Sequence, residues 1–187
     1  LKEKELLFLI RHYTREAGVR QLERLIGSLC RKTVLAILNN DKKSVTVTEK
    51  LIKEWLGKEI FDYGVKEKKN QVGVVTGLAY TQFGGDVLSV EVNYFEGKGS
   101  LIMTGKLGDV MKESAEIALD YVKAHAKEYD IDPKFFSSHD IHIHVPEGAV
   151  PKDGPSAGVT LTTALVSALS DKPVHSDLAM TGEVTLR

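Results

Sequence analysis

The chain has 187 residues, 42% hydrophobic and 27% charged, which is the composition of a folded globular protein and excludes a disordered one. Its 25 basic and 26 acidic side chains leave a net charge of −1, which excludes a strongly basic protein whose main ligand is a nucleic-acid backbone. The single cysteine, Cys30, excludes an internal disulfide and a cysteine cage for zinc, and favours a reducing compartment. The longest apolar run near the start, residues 6–10, is far shorter than the ~20 residues of a membrane-spanning helix.

Both ends of the sequence are typical of a chain cut from a longer protein. The chain begins at Leu1 in helix-forming composition without a methionine, and it ends at Arg187 inside a strand-like segment. We therefore expect the native protein to be longer than these 187 residues.

The first 61 residues predict a small, all-helical module. A first helix contains the apolar residues 6–10 and is expected to end at Gly18. A second carries apolar side chains from Val19 to residue 38, mostly at three- and four-residue steps. Thr48 is the predicted cap of a third, short helix that Gly57 ends.

The charged segment 62–70 predicts a linker, and the periodicity beyond it becomes that of strands. Residues 71–187 predict three strands, a helix, a strand, a helix and a last strand, which is an α+β pattern. In chain order these are strands at 72–81, 90–94 and 100–104, a helix capped by Asp109, a strand at 140–145, a helix at 156–170 and a strand at 178–186.

Two glycine-rich segments come close to a phosphate-binding loop but lack its defining residues. In the segment 99–107, five residues instead of four separate the glycines, and Leu107 stands where the magnesium-binding hydroxyl belongs. The segment 148–154 fails similarly, with Pro155 in place of the lysine. We interpret both sets of glycines as turn residues.

His142 and His144 are two residues apart in a predicted strand, so both side chains project from one face of the sheet. Such a pair is half of a metal site, but the sequence offers no evident third ligand. We therefore predict no metal, and interpret the pair as a polar patch that supports a nearby site.

The segment 146–158 contains the densest signal in the chain. Three prolines and three glycines fix an irregular loop that delivers Ser156 to the start of an apolar helix. The free N–H groups and the dipole of a helix N-terminus favour the negative charge of a tetrahedral acyl intermediate. The alternative is that Ser156 only caps the helix, and location alone favours that alternative.

No convincing base for Ser156 follows from spacing. Residues 154–158 fit the G-x-S-x-G pattern of a nucleophile elbow, but only His175 follows the serine, and too little chain remains for that fold. A buried lysine can activate a serine instead. Lys152 is expected to point to water, however, and Lys172 lies past the far end of the helix.

These segments resemble the Lon ATP-dependent proteases over essentially the whole chain. The most specific match is Pro151-Lys-Asp-Gly-Pro-Ser-Ala-Gly158. The other matching segments are 13–24, 73–80, 84–86, 104–111, 142–150 and 180–187. The resemblance implies an AAA+ lid subdomain over residues 1–61 and an α+β Ser–Lys protease domain of the Lon type over residues 71–187.

The function implied by the resemblance is that of an ATP-dependent serine endopeptidase. Such an enzyme unfolds misfolded, damaged and short-lived regulatory proteins and cleaves them with a Ser–Lys dyad inside a homohexameric chamber. ATP and Mg²⁺ are the implied cofactors, and the cytoplasm of a bacterium, rather than the mitochondrial matrix, is the implied location. The family association also implies weak DNA binding, and no membrane.

Residue by residue, the resemblance assigns Ser156 as the nucleophile and Arg20 as the lid arginine that contacts ATP phosphates. Thr181 corresponds to a threonine that helps to hold the dyad lysine. The matching polar residues that line the same site are His142, His144, Asp153 and Glu183.

One departure from the family pattern bears on activity. In the family, the dyad lysine follows the serine by more residues than the 31 that follow Ser156 here. This sequence therefore ends, at Arg187, before the position of that lysine. The phosphate loop is also absent. We therefore expect these 187 residues to bind neither ATP nor Mg²⁺ and to cleave no protein.

Two other classes of function remain open from the sequence. The first is a non-catalytic module that oligomerises or binds polypeptide. The second is nucleic-acid binding, which only the scattered charge in residues 2–24 and 66–69 supports.

Overall fold

The chain divides into two units, and three helices form most of the first one. The structure, a computed structural model, describes residues 1–40, 43–61, 69–146 and 152–187. The first unit comprises Leu1–Val65 and Thr81–Gly84, and the second comprises Lys66–Tyr80 and Gly85–Arg187. A helical N-terminal region followed by a mixed α/β sheet with helices confirms the predicted α+β class. The predicted linker at 62–70 lies mostly outside the described residues.

The helices of the first unit are α1 (Glu3–Tyr13), α2 (Arg20–Asn40) and α3 (Glu49–Leu56). The prediction that α1 continues to Gly18 is wrong. Thr14 adopts an extended conformation, and its hydroxyl donates to the carbonyl of Ile10 at 2.8 Å, which closes the helix at Tyr13.

Both predicted ends of α3 are confirmed. The Thr48 hydroxyl accepts a hydrogen bond from the Leu51 amide at 3.3 Å. Gly57 ends the helix at φ = 90°, a backbone conformation that favours glycine, and its carbonyl accepts from the Tyr13 hydroxyl at 2.7 Å. The buried core of this unit consists of Leu9, Tyr13, Leu29, Val47 and Ile52.

A five-stranded sheet forms the centre of the second unit, in the order β3-β4-β2-β1-β5. The strands are β1 (Val74–Thr81), β2 (Gly84–Glu96), β3 (Leu101–Thr104), β4 (His139–His144) and β5 (Ala179–Met180). The helices are α4 (Asp109–Ala124), α5 (Phe135–Ser138) and α6 (Gly158–Ser170), with 3₁₀ turns at Ala126–Tyr129 and Pro155–Ala157. The sequence predicted neither α5 nor the 3₁₀ turns.

One face of this sheet is buried and the other is not. β4 pairs antiparallel with β2 and parallel with β3. Ile141 and Ile143 of β4 are buried in a core that also contains residues of β1, β2, α4 and α6. Because side chains alternate along a strand, His142 and His144 share the opposite face, as predicted.

Among the predicted boundaries in this unit that are wrong, two concern the start of α4 and the end of the last strand. Gly108, rather than Asp109, is the N-cap residue of α4, and Asp109 is the first residue of the helix. The last strand ends at Met180 instead of extending to residue 186, because the chain beyond it bonds to the start of α6.

A buried hydroxyl on α6 joins three segments of the second unit. Ser167 accepts a hydrogen bond from the Gly73 amide at 2.9 Å, just before β1, and donates to the Lys172 carbonyl at 2.5 Å. No side chain fits at Gly73, because a Cβ there would collide with the Val92 carbonyl. The Ser167 hydroxyl is thus the hydrogen-bond partner of both the Gly73 amide and the Lys172 carbonyl.

We expect Ser167→Ala to lower the free energy of unfolding by about 1–3 kcal/mol, since it leaves the buried Gly73 amide without its partner. The matched control is Ser170→Ala on the same helix, where the hydroxyl donates only to the Val166 carbonyl four residues earlier. Urea unfolding followed by circular dichroism measures both. Equal losses for the two variants would contradict the proposed bridge.

Candidate active site

Ser156 lies at the middle of the 3₁₀ turn that immediately precedes α6, and it is exposed. The N-cap residue of α6 is Ala157, and among the described residues no side chain makes a capping hydrogen bond to that helix. The interpretation of Ser156 as a simple helix cap is therefore wrong. The turn presents this side chain to solvent.

The segment after β5 fixes the backbone of Ser156. The Ser156 carbonyl accepts hydrogen bonds from the Gly182 amide at 2.7 Å and from the Thr181 hydroxyl at 3.2 Å. The Gly182 carbonyl in turn accepts from the Val159 amide at 2.9 Å. The structure thus brings Thr181 next to Ser156. Glu183 follows on the same segment and is exposed.

Gly158 allows this close approach. A Cβ at this position would lie 2.7 Å from the Val184 amide nitrogen, 3.2 Å from the Ser114 hydroxyl and 3.3 Å from the Gly182 carbonyl oxygen. Its φ is −53°, so the requirement is for space rather than for an unusual backbone conformation. A side chain at Gly158 would separate α6 from residues 182–184.

Asp153 holds the other side of the turn. Its carboxylate accepts from the Met111 amide in the first turn of α4 at 3.0 Å, and from the Gly154 amide at 2.9 Å. A Cβ at Gly108 would collide with this carboxyl group. Asp153 is thus the N-terminal cap that α4 lacks in its own sequence, and its negative charge faces the positive end of the helix dipole.

Ser114 is a contact of the turn that the sequence analysis missed. It lies one helical turn after Met111 on α4, is buried, and donates a hydrogen bond to the Pro155 carbonyl at 3.4 Å. The sequence showed it only as a small residue on the inner face of a helix.

Within the described residues, no hydrogen bond joins Ser156 to either neighbouring lysine. The prediction that Lys152 points to water is wrong, because its amine donates to the Gly105 carbonyl at 3.3 Å and its side chain is half-buried. Lys172, beyond the end of α6, pairs with Asp130 at 3.5 Å.

His142 and His144 of β4 converge on a residue that the sequence analysis did not single out. The Thr104 hydroxyl lies 2.9 Å from His142 Nε2 and 2.7 Å from His144 Nδ1. It carries one hydrogen, so when it donates to one ring it accepts an N–H from the other. Within the described ranges, no hydrogen bond joins either histidine to Ser156. Their assignment to the same site stays a prediction.

Both histidines also line an open pocket of about 670 Å³. Glu91 and Asn93 of β2, which pair in register with His144 and His142, form another part of its wall. In the part of the chain that the structure describes, no three His, Cys, Asp or Glu residues are grouped to hold a metal ion.

Arg20 belongs to the first unit, where it is the exposed first residue of α2. The carboxylate of Glu16 binds the backbone at this helix start, through the Gln21 amide at 2.9 Å and the Leu22 amide at 3.0 Å. These hydrogen bonds, that of Gln21 most of all, hold the pKa of the Glu16 carboxyl below its ordinary value.

Comparison with family models assigns a class to each part of the chain. Residues 1–46 match the Lon protease AAA+ ATPase lid domain, and residues 46–187 match the Lon protease (S16) C-terminal proteolytic domain. The chain therefore joins a lid segment to a proteolytic domain. Since the second match covers more than half of the sequence, the chain belongs to the Lon protease family.

Bacterial relatives agree along the whole chain. It is 58% identical to Lon protease 1 of Bacillus subtilis over 187 residues and 57% identical to Lon protease of Brevibacillus choshinensis, covering 100% of this chain and 24% of each relative. Lon protease of Clostridium acetobutylicum is 52% identical over 184 residues. The chain spans about a quarter of the length of these relatives. None of the described helices is both long and apolar enough to cross a membrane.

We expect Gly158→Ala to displace residues 182–184 from α6, because the added methyl group meets the Val184 amide. Hydrogen exchange at the Gly182 amide should accelerate by about tenfold or more if its bond to Ser156 weakens by ~1.4 kcal/mol. Gly85→Ala is the control, since a Cβ there has open space. Unchanged Gly182 protection in Gly158→Ala would contradict the packing.

We expect Asp153→Ala to cost about 0.5–2 kcal/mol of stability as the cap of α4 is lost, and Asp153→Asn to cost less because the amide oxygen can still accept from Met111. Thermal unfolding measures both variants. Asp109→Ala is the control, because Asp109 is exposed at the same helix end and its carboxylate pairs only with Lys112, at 3.2 Å, among the described residues. A larger loss for Asp109→Ala would show that Asp109 is the effective cap.

Proposed function

We propose that the native protein is an ATP-dependent serine endopeptidase in which Ser156 is the nucleophile. The observation that carries this proposal is the fixation of Ser156. Its carbonyl is bound by Thr181 and Gly182, and Asp153 anchors the residues before it to α4, while its side chain stays exposed. Membership in the Lon protease family supports a proteolytic role for this turn.

In the proposed reaction, the Ser156 hydroxyl attacks the carbonyl carbon of a peptide bond, and a neutral lysine amine takes its proton. The positive end of the α6 dipole favours the oxyanion that forms. The Gly158 and Val159 amides are already bonded to the Pro155 and Gly182 carbonyls. The N–H groups that donate to the oxyanion are therefore proposed to come from the 3₁₀ turn that precedes Gly158.

Collapse of the tetrahedral intermediate breaks the C–N bond, and the leaving amine takes the proton from the lysine. Water then attacks the carbonyl carbon of the acyl-serine and gives a proton to the same lysine. The C–O bond to Ser156 breaks, the serine oxygen takes that proton back, and the second product leaves as a carboxylic acid. Thr181 is proposed to help hold this lysine, and His142, His144, Asp153 and Glu183 are proposed to line the site.

The dyad lysine is proposed to lie beyond Arg187 in the native protein. The contacts of Lys152 with Gly105 and of Lys172 with Asp130 support this, because both amines are engaged elsewhere. We propose that the 187 residues alone do not cleave protein, since loss of one member of a catalytic pair costs about 10³-fold or more.

The lid segment is proposed to couple cleavage to ATP. Arg20 would contact the nucleotide phosphates, and the phosphate loop and the magnesium ligands would come from the rest of a protein about four times as long as this chain, as its relatives are. The proposed substrates are misfolded, damaged and short-lived regulatory proteins, degraded in a bacterial cytoplasm by a homohexamer.

We expect Ser156→Ala in the full-length protein to reduce casein degradation by about 10³-fold or more and to abolish labelling by a peptide boronate or a fluorophosphonate. ATP hydrolysis should remain, because Ser156 is proposed to act only on the peptide bond. The control is Ser137→Ala, another exposed serine of the second unit. Normal degradation by Ser156→Ala would refute Ser156 as the nucleophile. Absence of degradation and of labelling in the unsubstituted full-length protein would favour the alternative, a non-catalytic oligomerisation or polypeptide-binding module.

A further inference from the structure

Side-chain to backbone hydrogen bonds run in both directions between the loop before α2 and the first turn of α2. Glu16 accepts from the Gln21 amide through Oε2 and from the Leu22 amide through Oε1. The Gln21 side chain accepts in return from the Arg15 amide at 3.3 Å. These bonds tie the loop between α1 and α2 to the first turn of α2.

Both oxygens of the Glu16 carboxylate are thereby used. Amides at a helix start are the groups that would otherwise attract a phosphate, and in α2 an internal carboxylate already occupies them. Glu16 therefore organises the helix start through the backbone amides, beside the cation that the helix carries there.

Arg20 is that cation. It is the first residue of α2, is exposed, and forms no ion pair within the described part of the chain. Its charge is close enough to help lower the pKa of Glu16. Since the backbone at this helix end is occupied, a nucleotide phosphate can be contacted only by a side chain that extends from it.

We propose that Glu16 is the positioning residue for Arg20: by binding the Gln21 and Leu22 amides it fixes the helical turn from which Arg20 reaches the phosphates of ATP. This inference rests on the proposed function of Arg20. It adds that the lid recognises phosphate through one oriented side chain and not through the helix N-terminus.

The test is a double-mutant cycle in the full-length protein, with the dissociation constant of fluorescent ATP as readout. We expect Arg20→Ala to weaken binding by about tenfold and Glu16→Ala by about three- to tenfold, the scale of a lost helix cap. The double variant should bind no more weakly than Arg20→Ala alone, because Glu16 acts only through Arg20. Glu23→Ala is the control, since Glu23 is exposed in the same helical turn.

A purely structural role of Glu16 gives a different pattern. Glu16→Ala would then lower the melting temperature but leave ATP affinity unchanged while the protein is folded, and that result overturns the inference. An equal loss of affinity with and without Arg20 overturns it too. Unchanged affinity in Arg20→Ala would instead refute the proposed ATP contact itself. Faster hydrogen exchange at Gln21 and Leu22 in Glu16→Ala is the expected local signature.

Discussion

One residue, Gly182, holds the candidate active site together through both of its backbone polar groups. Its N–H donates to Ser156 and its C=O accepts from Val159, so that an extended segment pairs with the start of a helix as it would with a neighbouring strand. The buried Thr160 hydroxyl extends this pairing by donating to the Met180 carbonyl at 3.1 Å. The fit requires a hydrogen atom in place of a side chain at Gly158, because α6 and this segment are in backbone contact there.

The opposite side of the same turn is held by α4. Asp153 binds the Met111 amide, and Ser114 donates to the Pro155 carbonyl from one helical turn further along. The turn is therefore fixed through its backbone from two directions, while the Ser156 side chain takes no part in either set of contacts. A reactive hydroxyl needs a fixed backbone and an unengaged side chain, since a serine whose hydroxyl caps a helix would be less available to a substrate.

Local signals predicted local structure well. Thr48 and Gly57 bound α3 as their residue types indicate, and His142 and His144 share a face because strands alternate. The wrong end of α1 is a local miss, set by Thr14, whereas the misses around the candidate site involve partners distant in sequence. Asp109 is in the position of a helix cap, but α4 is capped by Asp153, which is 42 residues from the Met111 amide that it binds. Thr104 contacts His142 and His144 only because β3 pairs with β4. Residues 181–186 have strand composition, yet Gly182 bonds to a helix.

The same physical solution recurs at three helix starts. A carboxylate from the chain itself closes α2 and another closes α4, and the carbonyl of Gly182 accepts from the first turn of α6. Backbone N–H groups that would otherwise attract anions are thereby engaged within the chain. Arg20 is the first residue of α2, and Ser156 lies just before α6. Both are exposed. In the proposed function, phosphate recognition by Arg20 and peptide cleavage by Ser156 would each depend on a single side chain, whose backbone is held by the groups that close each helix.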